Sequence, residues 1–272
     1  MVASALTIAG SDSGGAAGLQ ADLRTFLTCG VHGLVAVTAV TVQNTLGVHD
    51  RSDIPPNIVA GQIEAVAADM GVGAAKTGML ASAEIIKAVA DACDDANIGR
   101  DNVTPFVVDP VAASMHGKPL FDDAGLTALR ELLLPRATVL TPNLDEVRLL
   151  TGRTVTGRED MHEAAIALHA LGPNYVLVKS GHLTHDPECV DLLFDGKTFL
   201  ELPGPRIATP HTHGAGDSMA AALTAGLARG MTVPEAAKFG KWFVGNAVAN
   251  AYPMGQKVGP VSAFWRLAPE DR

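Results

Sequence analysis

The sequence has few cysteines, few aromatic residues and no surplus of basic charge. Its three cysteines, Cys29, Cys93 and Cys189, lie far apart in 272 residues and leave an odd count, which argues against a disulfide framework or a cysteine metal site. Cysteine used in this way indicates a reducing compartment. A net charge of −9 argues against a nucleic-acid or anionic-membrane surface, which would need a basic patch.

Two further absences limit where the protein is expected. No apolar run is long enough to cross a bilayer. The N-terminal residues lack the charged start and apolar stretch of a signal peptide. We therefore expect a cytoplasmic protein that binds small molecules, with neither nucleic acid nor membrane as a partner.

What the sequence does contain is typical of a large α/β domain. Hydrophobic residues make up 47% and charged residues 18%. Short apolar runs alternate with helical patterns, which predicts a mostly parallel sheet covered by helices on both faces. No linker or repeat divides the chain, so we expect residues 1–272 to form one domain. Predicted strands cover 5–10, 31–40, 74–78, 106–108, 138–140, 175–178, 190–194 and 198–202, and predicted helices cover 19–27, 58–70, 83–96, 124–134, 144–150, 159–171, about 215–230 and 233–251.

The stretch 209–230 carries the strongest chemical signal. Gly214 and Gly216 precede an Ala- and Leu-rich run, so Gly214, Ala215 and Gly216 are expected where a loop becomes a helix. Free amides and the positive end of the helix dipole there favour an anion. Asp217 adds a carboxylate, and an anion site beside a carboxylate suits phosphoryl transfer to an alcohol. An aspartate that merely caps the helix is the alternative.

Several polar residues follow predicted strands. Asp109, Asn143 and Lys179 each come just after a strand, and ligands bind at that edge of an open α/β sheet. Lys179 could balance phosphate charge or be a solvated strand end. Glu146, one turn into the next helix, could help to hold Mg²⁺ or be ordinary N-terminal helix charge.

The first glycine loop, residues 10–18, follows the first strand. It does not fit G-x-G-x-x-G, no acidic residue follows the second strand, and no Gly-Lys-Ser/Thr is present, so neither a dinucleotide fingerprint nor a P-loop is predicted. A loop that lets a small substrate approach the backbone fits better. Asp22, on the next helix, would by itself indicate a solvated helix face.

Gln43 is expected in a polar loop after the second strand. Its amide offers a donor and an acceptor side by side, which can pair with an aminopyrimidine edge. A glutamine bonded to loop backbone is the alternative. Three histidines, His182, His211 and His213, do not form a convincing metal set.

Taken together, these segments resemble the hydroxymethylpyrimidine/phosphomethylpyrimidine kinases of thiamine synthesis, within the ribokinase superfamily. The resemblance runs in order through residues 9–15, 20–22, 42–45, 76–80, 109–111, 141–143, 179–183 and 212–214. It implies a single ribokinase-like three-layer α/β/α domain without a separate lid domain, usually a homodimer, that uses ATP and Mg²⁺. The implied reactions phosphorylate 4-amino-5-hydroxymethyl-2-methylpyrimidine (HMP) to HMP phosphate, and HMP phosphate to HMP diphosphate.

The resemblance also implies roles for individual residues. Asp217 stands at the position of the base, and Gly214–Gly216 at that of the anion hole. The remaining assignments are Gln43, Met79, Gly10, Asp22 and Val111 at the pyrimidine, Lys179, Asn143 and Thr212 at the nucleotide, and Glu146 and Asp109 at the metal.

Three departures from the family pattern bear on the substrate. Gly-Ala-Gly-Asp replaces the frequent Gly-Thr-Gly-Cys, Ser180 replaces a glycine, and Ala16 replaces a glycine of the first loop. An aspartate at position 217 is typical of sugar kinases and many pyridoxal kinases. Pyridoxal kinase activity, alone or as a second activity, is therefore the close alternative. A catalytically silent vitamin-binding regulator and a nicotinamide oxidoreductase are more distant ones.

Overall fold

A computed structural model describes residues 2–100, 102–112 and 122–268. Within these residues, nine strands form one sheet in the order β3-β2-β1-β4-β5-β6-β7-β8-β9. The pairs from β2 to β7 are parallel, whereas β3, β8 and β9 join antiparallel at the two edges. The strands are β1 (Ser4–Ser11), β2 (His32–Asn44), β3 (Gly47–Asp53), β4 (Ala74–Thr77), β5 (Phe106–Val108), β6 (Val139–Leu140), β7 (Tyr175–Val178), β8 (Asp191–Phe194) and β9 (Phe199–Leu202).

The helices form a layer on each face of this sheet. They are α1 (Gly18–Thr28), α2 (Pro56–Asp69), α3 (Ala83–Asp95), α4 (Asp123–Ala128), α5 (Leu144–Thr151), α6 (Arg158–His169), α7 (Ala215–Ala228) and α8 (Val233–Ala249). Helices α2 to α6 pack through one large apolar cluster. Helices α1, α7 and α8 cover the other face through two smaller clusters. The predicted three-layer α/β/α fold with a mostly parallel sheet is confirmed.

Helix caps follow the local sequence. Ser82 accepts a hydrogen bond from the Ile85 amide at the start of α3, as predicted. Asn143 and Glu146 form a reciprocal capping box at the start of α5. The predicted helix over 124–134 is α4 continued by a π-helical turn at Leu129–Leu133 and a 3₁₀ turn at Leu134–Arg136, where Pro135 cannot donate an amide bond.

The second strand and its neighbour differ from prediction. Strand β2 extends to Asn44, so Gln43 lies in a strand rather than a loop. Its edge partner β3 was not predicted, because the segment Gly-Val-His-Asp-Arg-Ser-Asp is polar and mostly exposed. Along β2, Thr41 is buried while Val40 and Val42 are exposed, as the alternation of a strand requires. Thr41 and Gln43 therefore share the face that borders the site.

The carboxyl ends of β1, β4, β5, β6 and β7 meet at one edge with the N-termini of α1 and α7. Among the described helices, none combines the length and apolar composition of a membrane span.

Candidate active site

The second glycine loop forms an open nest of amides at the start of α7. Gly214 has a φ of 81°, and a Cβ there would overlap the Ala16 carbonyl oxygen, so only glycine fits. The Ala215 amide donates to Thr212, whereas the amides of Gly216 and Asp217 have no acceptor within the described part of the chain. These two donors and the helix dipole favour an anion at this point.

Asp217 lies at the mouth of this nest and faces the cleft. Its Oδ1 accepts a hydrogen bond from the Gly18 amide at 3.1 Å, so the start of α1 holds its carboxylate. The side chain lines the same cavity as Gly214, Ala215 and Gly216. The predicted neighbourhood of carboxylate and glycine nest is therefore present in the structure.

The first glycine loop is closed by its own aspartate. Asp12 Oδ1 accepts the Gly14 amide at 2.7 Å, and Oδ2 accepts the amides of Ala16 and Ala17 at 2.9 Å. The loop amides are thus occupied, which explains why this loop is unsuited to a dinucleotide phosphate. Gly10 still permits close packing, because a Cβ there would lie 2.6 Å from Met79 Cε.

Lys179 and Asp109 form a pair where β5 and β7 end. Lys179 Nζ lies 2.9 Å from Asp109 Oδ1, which also accepts the Thr141 hydroxyl at 3.0 Å. Burial lowers the pKa of Lys179, but the attraction of Asp109 and Glu146 outweighs it, so the pKa lies above its usual range. A Cβ at Gly216 would come within 3.3 Å of Lys179 Nζ, so this cation adjoins the nest.

Glu146 is buried and held by backbone amides. Its Oε2 accepts from Asn143 at 2.8 Å and its Oε1 from Ala112 at 3.3 Å. Burial raises the pKa of Glu146 to about 7, and Lys179 only partly opposes this. Glu146 is the N3 residue of the capping box at the start of α5, and the sequence alone did not reveal that backbone amides hold its carboxylate.

The acidic groups suit a metal that is held partly by other ligands. Among residues 2–100, 102–112 and 122–268, no set of three or more His, Cys, Asp or Glu side chains is placed to bind a metal alone. Asp109 and Glu146 supply two carboxylates in one cleft. Mg²⁺ commonly uses one or two carboxylates together with water and phosphate oxygens, so this donor set fits Mg²⁺ accompanying a polyphosphate.

Gln43, Met79, Gly10 and Val111 line the opposite end of the same cavity. Gln43 Oε1 lies 3.3 Å from Thr41 Oγ1, and its Nε2 lies 3.4 Å from His213 Nε2. Val111 has a φ of 41°, a strained conformation for a β-branched residue. These four residues lie together as the predicted pyrimidine site requires.

Asp22 is the exception to the predicted substrate set. It is fully buried, accepts the Thr7 hydroxyl at 2.6 Å and pairs with Lys76 Nζ at 2.7 Å, so it does not line the cavity and is not on a solvated helix face. Burial raises the pKa of Asp22 to about 6. The prediction that Asp22 contacts substrate is corrected, because Lys76, a cation from β4 that sequence reasoning passed over, takes its carboxylate.

Two cavities meet at the nest. The one just described has a volume of about 350 Å³, and its neighbour of about 790 Å³ lies between β9, α7 and α8. Asn143, Lys179, Thr212 and Gly216 line both cavities. The larger cavity is bordered by apolar side chains from Leu202, Ile207, Met219, Val244 and Val248. The site can therefore hold two ligands that touch at Lys179 and Gly216.

Sequence reasoning did not assign Asp12, Thr41 or His213 to this site. His213 lines the smaller cavity, with Nε2 3.7 Å from Asp12 Oδ2. The available signals were the aspartate inside a glycine loop and the histidine directly before Gly214. Ser180, which stands where the family pattern has glycine, is hydrogen-bonded: its amide and hydroxyl donate to Asp191 at 2.7 and 3.1 Å.

Comparison with known proteins agrees with this geometry. The sequence profile of a family described as phosphomethylpyrimidine kinase matches residues 12–262. The chain belongs to the phosphomethylpyrimidine kinase family. It is 54% identical over 263 residues to a hydroxymethylpyrimidine/phosphomethylpyrimidine kinase of Mycobacterium tuberculosis, covering 97% of this chain and 94% of that protein. The Bacillus subtilis protein of the same name is 44% identical over 260 residues, with coverage of 96% and 94%.

Solved structures of pyridoxal kinases and of a phosphomethylpyrimidine kinase resemble this chain. A Bacillus subtilis pyridoxal kinase in an ADP complex has a TM-score of 0.89 and 37% identity, covering 98% of this chain and all of that one. A Staphylococcus aureus pyridoxal kinase with AMP-PCP and pyridoxal gives 0.86 and 38%, with coverage of 96% and 93%. A Clostridium difficile phosphomethylpyrimidine kinase gives 0.77 and 36%, with coverage of 89% and 97%. The predicted family is thus confirmed.

Proposed function

We propose that this protein transfers the γ-phosphoryl group of ATP to HMP and then to HMP phosphate, in thiamine biosynthesis. The observation that carries the proposal is Asp217 beside the open amide nest, at the point where two cavities meet. Membership in a kinase family supports the reaction type. The smaller cavity takes the pyrimidine and the larger one the nucleotide.

In the first reaction, the HMP hydroxyl oxygen attacks the γ-phosphorus while the bond to the β–γ bridging oxygen breaks and ADP leaves. Asp217 accepts the hydroxyl proton. The amides of Gly216 and Asp217 stabilise charge on the moving phosphoryl group, and Lys179 contributes a point cation. A positioned base contributes about 10²–10⁴-fold, whereas enzymes typically supply about 10⁶-fold or more, so the nest and Lys179 carry the larger share.

Asn143, Thr212 and Lys179 are proposed as nucleotide contacts, since they border both cavities. Asp109 and Glu146 are proposed to support Mg²⁺. When bound there, Mg²⁺ neutralises charge on the phosphate oxygens. The protein itself orients both carboxylates: Lys179 holds that of Asp109, and a backbone amide holds that of Glu146.

Gln43 is proposed to bind the amino edge of the pyrimidine, with Met79, Gly10 and Val111 shaping the ring site. Replacing Gln43 with leucine removes the donor and the acceptor at nearly constant size. We expect a higher KM for HMP, with KM for ATP and kcat less affected. An unchanged KM for HMP, under conditions where KM approximates Kd, would refute this assignment.

Pyridoxal kinase is the second candidate, and a specific observation favours it. Two pyridoxal kinases match this chain with TM-scores of 0.89 and 0.86, above the 0.77 of the Clostridium difficile enzyme. Mg-ATP turnover measured in parallel on HMP, HMP phosphate, pyridoxal and ribose decides between them. We expect the highest kcat/KM for HMP or HMP phosphate. Binding of HMP without ADP formation would instead indicate a vitamin-binding regulator.

Three further expectations remain part of this proposal. We propose that residues 1–272 form a single domain, that the protein acts in the cytoplasm, and that two copies form a homodimer. Sedimentation equilibrium of the purified full chain tests the last point, and a monomer at micromolar concentration would contradict it.

A further inference from the structure

The Gln43 amide lies between two groups that can act as either donor or acceptor. Thr41 Oγ1 is 3.3 Å from Gln43 Oε1, and His213 Nε2 is 3.4 Å from Gln43 Nε2. A half turn of the amide exchanges its oxygen and nitrogen without moving any other atom. Which atom faces His213 is therefore decided by the proton positions of the two neighbours.

With the amide nitrogen toward His213, one acceptor of the network has no donor and two acceptors face each other. The Thr41 hydroxyl has one proton, and the Ser11 carbonyl at 2.9 Å takes it, so Gln43 Oε1 would lack a donor. His213 Nε2 would have to be an acceptor, and its lone pair would face Asp12 Oδ2 at 3.7 Å. Two electron-rich atoms facing one another in a buried site repel.

With the amide oxygen toward His213, the same contacts are satisfied. Thr41 donates to Ser11 and accepts from Gln43 Nε2. A proton on His213 Nε2 donates to Gln43 Oε1 and also faces the Asp12 carboxylate. The Asp12 oxygens are themselves fixed by the amides of Gly14, Ala16 and Ala17, so the first glycine loop supports this arrangement. The neutral Nε2–H tautomer and the imidazolium both supply the needed proton.

We propose that His213 carries a proton on Nε2, fixes the Gln43 amide with its oxygen toward the imidazole, and so acts as a specificity-determining residue. The proposal rests on the proposed function. HMP has an amino donor on the ring atom next to the hydroxymethyl-bearing carbon and a ring-nitrogen acceptor beyond it. Pyridoxal has an aldehyde oxygen, an acceptor, next to its hydroxymethyl carbon. One fixed order of oxygen and nitrogen cannot match both substrates with the hydroxymethyl group in the same place.

The test compares HMP with pyridoxal in the full-length protein. His213→Phe keeps a ring but removes the donor, and His213→Asn keeps a small polar side chain whose amide lies where Nδ1 was. His213→Gln places an amide near Nε2 and should restore the donor. We expect the ratio of kcat/KM for HMP to that for pyridoxal to fall roughly tenfold or more in the first two variants and to stay within about threefold in His213→Gln. His185→Phe, at an exposed position outside both cavities, is the matched control.

A ratio unchanged in His213→Asn or His213→Phe, with KM for ATP also unchanged, overturns the proposal. Nitrogen-15 NMR of the imidazole provides a reading that does not depend on turnover. We expect a proton on His213 Nε2 in the ligand-free protein, and an unprotonated Nε2 overturns the proposal as well. Absence of HMP turnover by the unaltered protein would overturn the proposed function instead, while the NMR result would still decide the state of His213.

Discussion

The two glycine loops of this protein occupy similar positions in the fold but use their backbone amides differently. Both lie at the N-terminus of a helix on the same face of the sheet, and the first loop packs on the second through Ala16 and Gly214. In the first, Asp12 folds back and occupies three amides. In the second, Asp217 points into the cleft and leaves the nest amides to a ligand. Where a loop's carboxylate lies thus decides whether its amides stabilise the fold or a ligand.

Asp217→Asn should give the largest effect and show most clearly that the two loops differ in function. The asparagine preserves size but is a poor proton acceptor, so we expect kcat to fall by about 10²–10⁴-fold with little loss of ATP binding. Steady-state kinetics with HMP and a nucleotide titration measure both quantities. A variant with nearly normal kcat would remove Asp217 from the base role and leave both aspartates structural.

Asp12→Ala is the counterpart in the first loop. It removes the acceptor of three amides in a buried loop, and hydrogen bonds to a charged acceptor are worth about 1.5–3 kcal/mol each, partly recovered by water. We expect the free energy of unfolding to fall by about 2–4 kcal/mol in urea denaturation. Asp217→Asn, measured alongside, should change it by less than about 1 kcal/mol. If the two variants lost stability equally, the contrast between the loops would be wrong.

Gly216→Ala tests the open nest directly. The added Cβ would lie 3.3 Å from Lys179 Nζ, at the point where the phosphoryl group is proposed to pass. Because helical φ and ψ suit alanine, the fold should tolerate the change, and we expect kcat/KM to fall roughly 10–100-fold. Gly61→Ala, within α2, outside both cavities and with open space around the new Cβ, is the matched control. Equal kinetics for both variants would indicate that the nest does not contact the transferred group.

The features that could be predicted from the sequence are those that depend on local residue pattern and on strand order. The glycine loop before Asp217 and the polar residues after β5, β6 and β7 were placed correctly, because parallel strands deliver their ends to one edge. Asp22 was misjudged because its partner Lys76 comes from a different element, and a helical periodicity cannot reveal a buried ion pair. The same limit applies to Asp12, whose role depends on a backward fold of its own loop, and to β3, whose polar segment is held by pairing with β2.

Glu146→Gln concerns the groups behind the open nest, and its effect should appear only in the pH dependence of stability. The pKa of Glu146 is raised from 4.5 to about 7 because the carboxyl is buried, so the folded state binds its proton more tightly than the unfolded state. For the wild-type protein, this contribution to stability is complete below pH 4.5 and is lost as the pH rises to about 7. Glutamine does not titrate and can accept the Asn143 amide of the capping box through its one oxygen, but it loses the weaker bond from the Ala112 amide at every pH.

The stability of the wild type relative to Glu146→Gln should therefore decline between pH 4.5 and 7 and level off above that range. The decline should be on the order of 3 kcal/mol at most, because each tenfold difference in proton affinity between the folded and unfolded states corresponds to about 1.4 kcal/mol. Urea denaturation of both ligand-free proteins at several pH values measures it, and the Asp22–Lys76 pair is common to both and cancels. Parallel curves would mean that Glu146 is already ionised in the folded protein at about pH 5, with Lys179 offsetting its burial.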